Sequence, residues 1–225
     1  MYRDKTVTVV IPCYNEEEGI ARVIPSLPGS IDEVIVVDNN STDRTSEVAR
    51  RLGARVIFEK RKGYGAAYKA GLSAVTNDIT VTMDGDGTYP TNQIEACIDY
   101  LIDNELDFVS ASRFPLKDPA SMKLWNKIGN TVLTWATFIL FLRAIKDSQS
   151  GMWIFKSALY KDLKPQSDGM PFSEEIKITA IRRRGIRFDE CHIDYHVRIG
   201  EVKLQKWRDG FENLMYLVRL RFTSA

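Results

Sequence analysis

Short runs of valine and isoleucine alternate with longer segments whose apolar positions recur every three or four residues. The runs occupy residues 7–11, 34–37, 55–58, 79–83 and 107–111, and they are near-continuously apolar, as strands buried on both faces must be. The segments between them, near 16–27, 45–52, 66–75 and 92–103, carry the period of an amphipathic helix. Repeated strand–helix units of this length predict an α/β fold with a Rossmann-like, mostly parallel central sheet and helices on both faces. After residue 112 the rhythm changes. A helix is expected near 124–142, a strand at 152–155, a helix near 173–184, a strand from 186 to about 195 and a terminal helix from about 205 to 221. No internal repeat, low-complexity tract or long Pro/Gly linker interrupts them, so residues 1–225 read as one domain of two halves that meet near residue 112.

A parallel sheet gathers ligands at the carboxyl ends of its strands, and carboxylates stand there. Asp84-Gly85-Asp86 closes the run 79–83, and Asp38 follows the run 34–37. Residues two apart at a strand end point the same way, so Asp84 and Asp86 converge. Two like charges that close call for a cation, and oxygen-only ligands suit Mg²⁺ or Mn²⁺. Gly85 leaves no side chain between them, which lets a flat or phosphorylated ligand approach the backbone. Read without context, the same residues make an ordinary solvated turn, and Asp38 makes a helix-entry cap with Ser41.

Bulk properties narrow the field. Of 225 residues, 44% are apolar and 27% charged, a globular mixture, and a net charge of +1 gives no reason to expect nucleic acid. Cys13, Cys97 and Cys191 are an odd, widely spaced set, which argues for reduced thiols in the cytoplasm. The N-terminus shows no secretory apolar region, and the longest apolar stretch, within 132–142, falls short of the roughly 20 residues that span a bilayer. The chain is expected to be soluble or to lie on a membrane surface.

The strand ends spell out longer motifs: Ile11-Pro12-Cys13-Tyr14-Asn15-Glu16-Glu17, Val37-Asp38-Asn39-Asn40-Ser41-Thr42-Asp43, Gly63-Tyr64-Gly65 and Asp84-Gly85-Asp86-Gly87. In this order they resemble the family-2 glycosyltransferases of the glycosyltransferase-A fold. Ser112-Arg113-Phe114, Asp147-Ser148-Gln149-Ser150-Gly151 and the segment from Tyr195 to Leu204 extend the resemblance to the dolichyl-phosphate mannose synthase and polyprenyl-phosphate glycosyltransferase branch. The resemblance implies inverting, metal-dependent transfer of a hexose from a UDP- or GDP-sugar to a polyprenyl phosphate. It implies that Pro12, Tyr14, Glu16, Asp38, Asp84 and Gly85 bind the nucleotide, and that Asp84 and Asp86 hold Mg²⁺ or Mn²⁺. Arg198 and Lys203 would clamp phosphate, Arg113 and Lys127 would orient the acceptor, and Asp86, Arg113 and Arg198 would be catalytic. The branch often has Gln where Thr88 stands and Arg where Lys127 stands.

The acceptor stays open at this point. A sugar hydroxyl needs a general base, for which Glu174 or Glu175 would serve; both also suit a helix N-terminus. A lipid phosphate is already anionic at neutral pH and needs only cations. Favouring the lipid, 132–142 is apolar nearly all round, and Trp207, Phe211, Leu214, Met215, Val218 and Phe222 recur among basic residues, as on helices at a headgroup boundary. The expected location is therefore peripheral, on the cytoplasmic face of a membrane. Competing readings are a transferase for polysaccharide hydroxyls, a sugar-nucleotidyltransferase, which would open with a Gly-rich loop instead of 12–16, and a non-catalytic nucleotide-sugar binder. His192, Asp194 and His196 alternate along an expected strand, as metal ligands or, more simply, as a satisfied strand edge.

Overall fold

The computed structural model describes residues 1–200 and 206–223. Among these, seven strands form one sheet: β1 (Val7–Cys13), β2 (Glu33–Asp38), β3 (Arg55–Phe58), β4 (Ile79–Thr82), β5 (Phe108–Ser112), β6 (Trp153–Lys156) and β7 (Phe188–His192), in the order β3-β2-β1-β4-β6-β5-β7. Neighbours are parallel except β6, which runs antiparallel to both β4 and β5. The helices are α1 (Glu17–Ser26), α2 (Thr45–Arg51), α3 (Tyr64–Ser73), α4 (Ile94–Asp103), α5 (Leu124–Phe141), α6 (Tyr160–Leu163), α7 (Phe172–Arg182) and α8 (Lys206–Thr223).

Alternate residues of each central strand enter two cores, which is why the strand runs lack polar interruptions. Val7, Val9 and Ile11 pack with Ile20 and Val23 of α1, Val48 of α2 and Ile98 of α4. Val10, Ile35 and Val37 pack on the other face with Tyr68 and Leu72 of α3 and Phe172 and Ile176 of α7. β1 lies between β2 and β4, so the chain leaves it in opposite lateral directions at their carboxyl ends. A crevice forms at such a reversal.

The last strand is shorter than its pattern predicts. Beyond His192 the backbone leaves the sheet and crosses the turn after β4, with His196 N donating to Thr88 O and Ile199 N to Asp86 O. These bonds hold the segment that carries Tyr195 and Arg198 over the crevice. The histidines do not share a strand face: His192 Nε2 bonds Pro115 O at 2.8 Å, while Asp194 pairs with Lys117 at 2.9 Å. Among the described residues no group of three or more His, Cys, Asp or Glu is placed to hold a metal.

A third cluster joins Leu133 of α5, Ile178 of α7 and Leu217 and Leu220 of α8. Here α5 is inverted in polarity: Asn130, Leu133 and Thr137 are buried, while Trp125, Val132, Trp135 and Ile139 are 53–67% exposed. Phe211 and Met215 of α8 are exposed as well. Among the described residues no helix is long and apolar enough to cross a membrane.

Candidate active site

Two cavities open at the carboxyl edge of the sheet. The first, about 380 Å³, is walled by Pro12 near the end of β1, Tyr14 and Glu16 after it, Asn39 after β2, Lys62 and Tyr64 before and in α3, and Asp84, Gly85 and Asp86 after β4. The second, about 440 Å³, lies towards α5 and α8 and includes Thr88, Arg113, Lys123, Trp125, Leu133, Gln149, Tyr195 and Asn213. Both include Tyr64, Asp84, Asp86, Met170, Arg198 and Asp209, so the acidic pair stands at their seam.

Asp86 is 4% exposed and its two oxygens are separately engaged. Thr88 donates to Oδ1 from its backbone N at 3.0 Å and from Oγ1 at 2.6 Å, while Arg198 Nη1 donates to Oδ2 at 2.7 Å. Thr88 therefore orients Asp86 with the hydroxyl that stands where the branch often has an amide. Arg198 also donates from Nη2 to Glu16, bridging the ends of β1 and β4, and its Nε is buried with no partner. Asp84 is half-buried. Burial, and then the Asp86 carboxylate, push it up to about 7 against the pull of Arg198 and Arg113. A divalent cation relieves such repulsion. Two carboxylates without a third acidic, His or Cys ligand suit a hard ion that takes its remaining oxygens from a diphosphate and water.

Gly85 lines the first cavity, and packing makes its own demand on the position. A Cβ there would stand 2.8 Å from Cys13 Sγ and 3.1 Å from Ile20 Cδ1, so the missing side chain serves packing on β1 and α1 beneath the turn. A Cβ on Gly19 would meet Gly85 O at 2.1 Å, so α1 sits directly against the turn. Tyr14 is 38% exposed, with Lys62 Nζ 5.7 Å from its ring centroid. Asp38 is not among the side chains lining the cavity: Oδ1 accepts from Ser41 N at 2.8 Å and Oδ2 from Ser46 Oγ. The neighbouring Asn39 takes the wall position, bracing the loop to α3 through Glu59 O, Arg61 O and Gly63 N.

Arg113 is 8% exposed at the second cavity and is held by a buried carboxylate. Its Nε and Nη2 donate to the two oxygens of Asp147 at 2.7 and 2.8 Å, and Tyr195 lies 5.2 Å below the guanidinium. Lys127 is turned away: its Nζ donates to Pro119 O at 2.7 Å and it does not line the cavity, whereas Lys123, one turn earlier, does. Lys203 lies outside the described residues.

Neither Glu174 nor Glu175 lines either of these two cavities. Glu175 accepts from Gln166 N and Ser167 N, both at 2.8 Å, and so braces the loop before α7. Glu174 is 1% exposed, accepts from Gln149 Nε2, and is pushed by burial from 4.5 up to about 8. Lys177 beside it is drawn down to about 8, first by burial, while its Nζ donates to the carbonyls of Asp147, Ser148 and Ser150. Because the folded Glu174 keeps a proton that the unfolded chain has lost, its contribution to stability is full below the unfolded value and is lost as pH rises through the folded one. Glu174→Gln is expected to show a smaller fall in Tm than the parent between about pH 5 and pH 8, as read by thermal unfolding.

Asp147, Lys177 and Asn213, all buried, and the half-buried Gln149 form a polar layer that sequence reasoning did not assign. The Asp147–Gly151 motif was visible, but its partners come from β5, α7 and α8, which no local spacing reveals.

Residues 8–163 match Glycosyl transferase family 2. The chain is 34% identical over 212 residues to a dolichyl-phosphate hexose transferase of Haloferax volcanii, covering 93% of this chain and 91% of that protein. It is 31% identical over 220 residues to a low-salt glycan biosynthesis hexosyltransferase of the same organism, covering 95% of this chain but only 53% of that longer protein. Its structure is similar to glucosyl-3-phosphoglycerate synthase of Mycobacterium tuberculosis, crystallised with Mn²⁺, UDP-glucose and phosphoglyceric acid, with a TM-score of 0.75 at 22% identity over 97% of this chain and 80% of that one. That likeness gives the fold, the glycosyltransferase-A architecture, while the family match covers more than half of the sequence. The chain belongs to glycosyl transferase family 2.

Proposed function

We propose that the protein is an inverting hexosyltransferase that moves a hexose from a UDP- or GDP-sugar to a polyprenyl phosphate, with Mg²⁺ or Mn²⁺. The observation that carries this reading is the seam: two cavities meet on Asp84 and Asp86, and the second reaches the exposed Trp125 of α5. Sequence relatives support the acceptor, since one is a dolichyl-phosphate hexose transferase and another, from Methanococcus voltae, is a UDP-N-acetylglucosamine–dolichyl-phosphate N-acetylglucosaminyltransferase. A structural neighbour that binds UDP-glucose with Mn²⁺ supports the donor and the ion.

The nucleotide lies in the first cavity, its base against Tyr14 and its diphosphate towards Asp84, Asp86 and Arg198. A bound divalent ion supplies charge neutralisation to the departing diphosphate. Arg198 keeps Glu16 as one partner and has N–H groups for a phosphate oxygen. The acceptor phosphate enters the second cavity towards Arg113, which Asp147 holds in place, and Lys123 at the rim. Its oxygen attacks the anomeric carbon as the bond to the diphosphate oxygen breaks on the opposite side, so the configuration inverts. The nucleophile is already an anion, which agrees with the burial of both candidate bases away from the cavities. Trp125 links the second cavity to the exposed residues of α5, and Lys123 and Arg143 flank that helix in sequence, an arrangement suited to a peripheral position on anionic lipid.

The test is to incubate the protein with UDP- and GDP-hexoses, Mg²⁺ and a short-chain polyprenyl phosphate, and to identify products by mass spectrometry. A lipid-linked monosaccharide phosphate is expected. Transfer to water-soluble saccharides alone would overturn the lipid acceptor.

A further inference from the structure

Beside the seam stands a polar side chain that the transfer scheme leaves unused. Asn213 of α8 is 3% exposed and lines the second cavity, and its Oδ1 is buried without a hydrogen-bond partner among the described residues. Folded proteins seldom leave a buried acceptor unmet unless a ligand or water completes it.

The orientation of this amide is set by a relay. Gln149 Nε2 donates to the Glu174 carboxyl, which leaves Gln149 Oε1 to accept from Asn213 Nδ2 at 3.0 Å. In this arrangement Glu174 accepts through one carboxyl oxygen, and Asn213 presents its own oxygen as the remaining polar atom. The group that meets it has to be a hydrogen-bond donor. A phosphate oxygen carries none at neutral pH, so neither the donor's diphosphate nor an ionised acceptor phosphate satisfies it. Asp209, one helical turn earlier on α8, lines both cavities as well. Met170 borders both cavities and gives the site an apolar wall. In the proposed transfer the hexose is the part of the reactants that lies between the two phosphates, and so at the seam.

We infer that Asn213, oriented by Gln149 and Glu174, accepts a hydrogen bond from a hydroxyl of the donor's hexose and so takes part in choosing the sugar. This rests on the hexosyl-transfer reading above. The carboxamide of Asn213 is the selective element, and Gln149 is a positioning residue that engages its Nδ2 and leaves its oxygen uncommitted.

Titration calorimetry in Mn²⁺ tests it by comparing UDP-glucose with UDP, and GDP-mannose with GDP, on the parent and on Asn213→Ala. The expected result is that the substitution weakens the nucleotide sugar about tenfold, the scale of one hydrogen bond, and leaves the nucleoside diphosphate unchanged. Gln149→Leu, which frees Asn213 to rotate, is expected to give the same selective loss and serves if the Ala form does not fold. Unchanged affinity for both ligands in the variants would overturn the inference, as would an equal loss for both, which marks general support of the cleft. A parent protein that binds none of the four ligands overturns the transfer reading itself, and the inference with it.

Discussion

Asp86→Asn is expected to leave the chain folded and to lower hexosyl transfer by at least about a hundredfold, the scale seen when one preorganised charge-stabilising group is removed from an active site. The substitution keeps the shape, and an amide oxygen can still accept from Thr88 N and Oγ1. What it removes is half of the acidic pair and the anionic partner of Arg198. Steady-state kinetics with saturating Mg²⁺ check the effect, and circular dichroism checks the fold. Activity within about threefold of the parent would mean that the acidic pair is a structural turn, since losing a group that stabilises the leaving charge costs far more.

Asp147→Ala is expected to destabilise the protein by about 3–5 kcal/mol, the range for breaking a buried ion pair from one side. Asp147 is fully buried. Burial alone would raise its carboxyl, but the Arg113 guanidinium outweighs that and holds it below its ordinary value. It also accepts from Arg113 N at 3.0 Å and Gln149 N at 3.2 Å, so its loss leaves a buried guanidinium and two backbone donors unmet. Urea unfolding measures the cost. Replacing both partners, Arg113→Met with Asp147→Leu, is expected to recover part of the stability, because two apolar groups leave no uncompensated charge. Transfer should stay low in the double variant, since Arg113 lines the cavity proposed for the acceptor phosphate. A loss near zero in the single variant would show that the pair does not hold this part of the fold.

The elements legible in the sequence are those whose pattern reports burial on both faces. β1 to β5 stand within a few residues of their apolar runs because Val9 and Val10, or Val36 and Val37, enter opposite cores. The end of β7 was not legible, because the donors of His196 and Ile199 go to Thr88 and Asp86 rather than to a strand neighbour, and a carbonyl on a distant turn leaves no trace in local hydropathy. The four-residue α6 is too short to show a period.

The candidate site divides in the same way. Tyr14, Glu16, Asp84 and Asp86 follow strands whose ends topology brings together, so their meeting could be anticipated from order alone. Arg198 joins them only because the segment after β7 folds back over the turn. Lys127 and Lys123 are four residues apart on one helical stretch, and only the hydrogen bond to Pro119 O distinguishes which of them faces the cavity. Gln149 lies in a visible motif, but its pairing with Asn213, 64 residues away, left no signal.

The direct measurement is calorimetric titration of UDP and GDP into the protein with Mn²⁺ and again with excess chelator, repeated on Asp84→Asn/Asp86→Asn. One of the two nucleotides should bind at least about tenfold more tightly with the metal, an advantage that the double variant abolishes. Equal affinity with and without Mn²⁺, or a metal advantage that survives loss of both carboxylates, would place the ion elsewhere and remove the basis for reading the seam as the site of transfer.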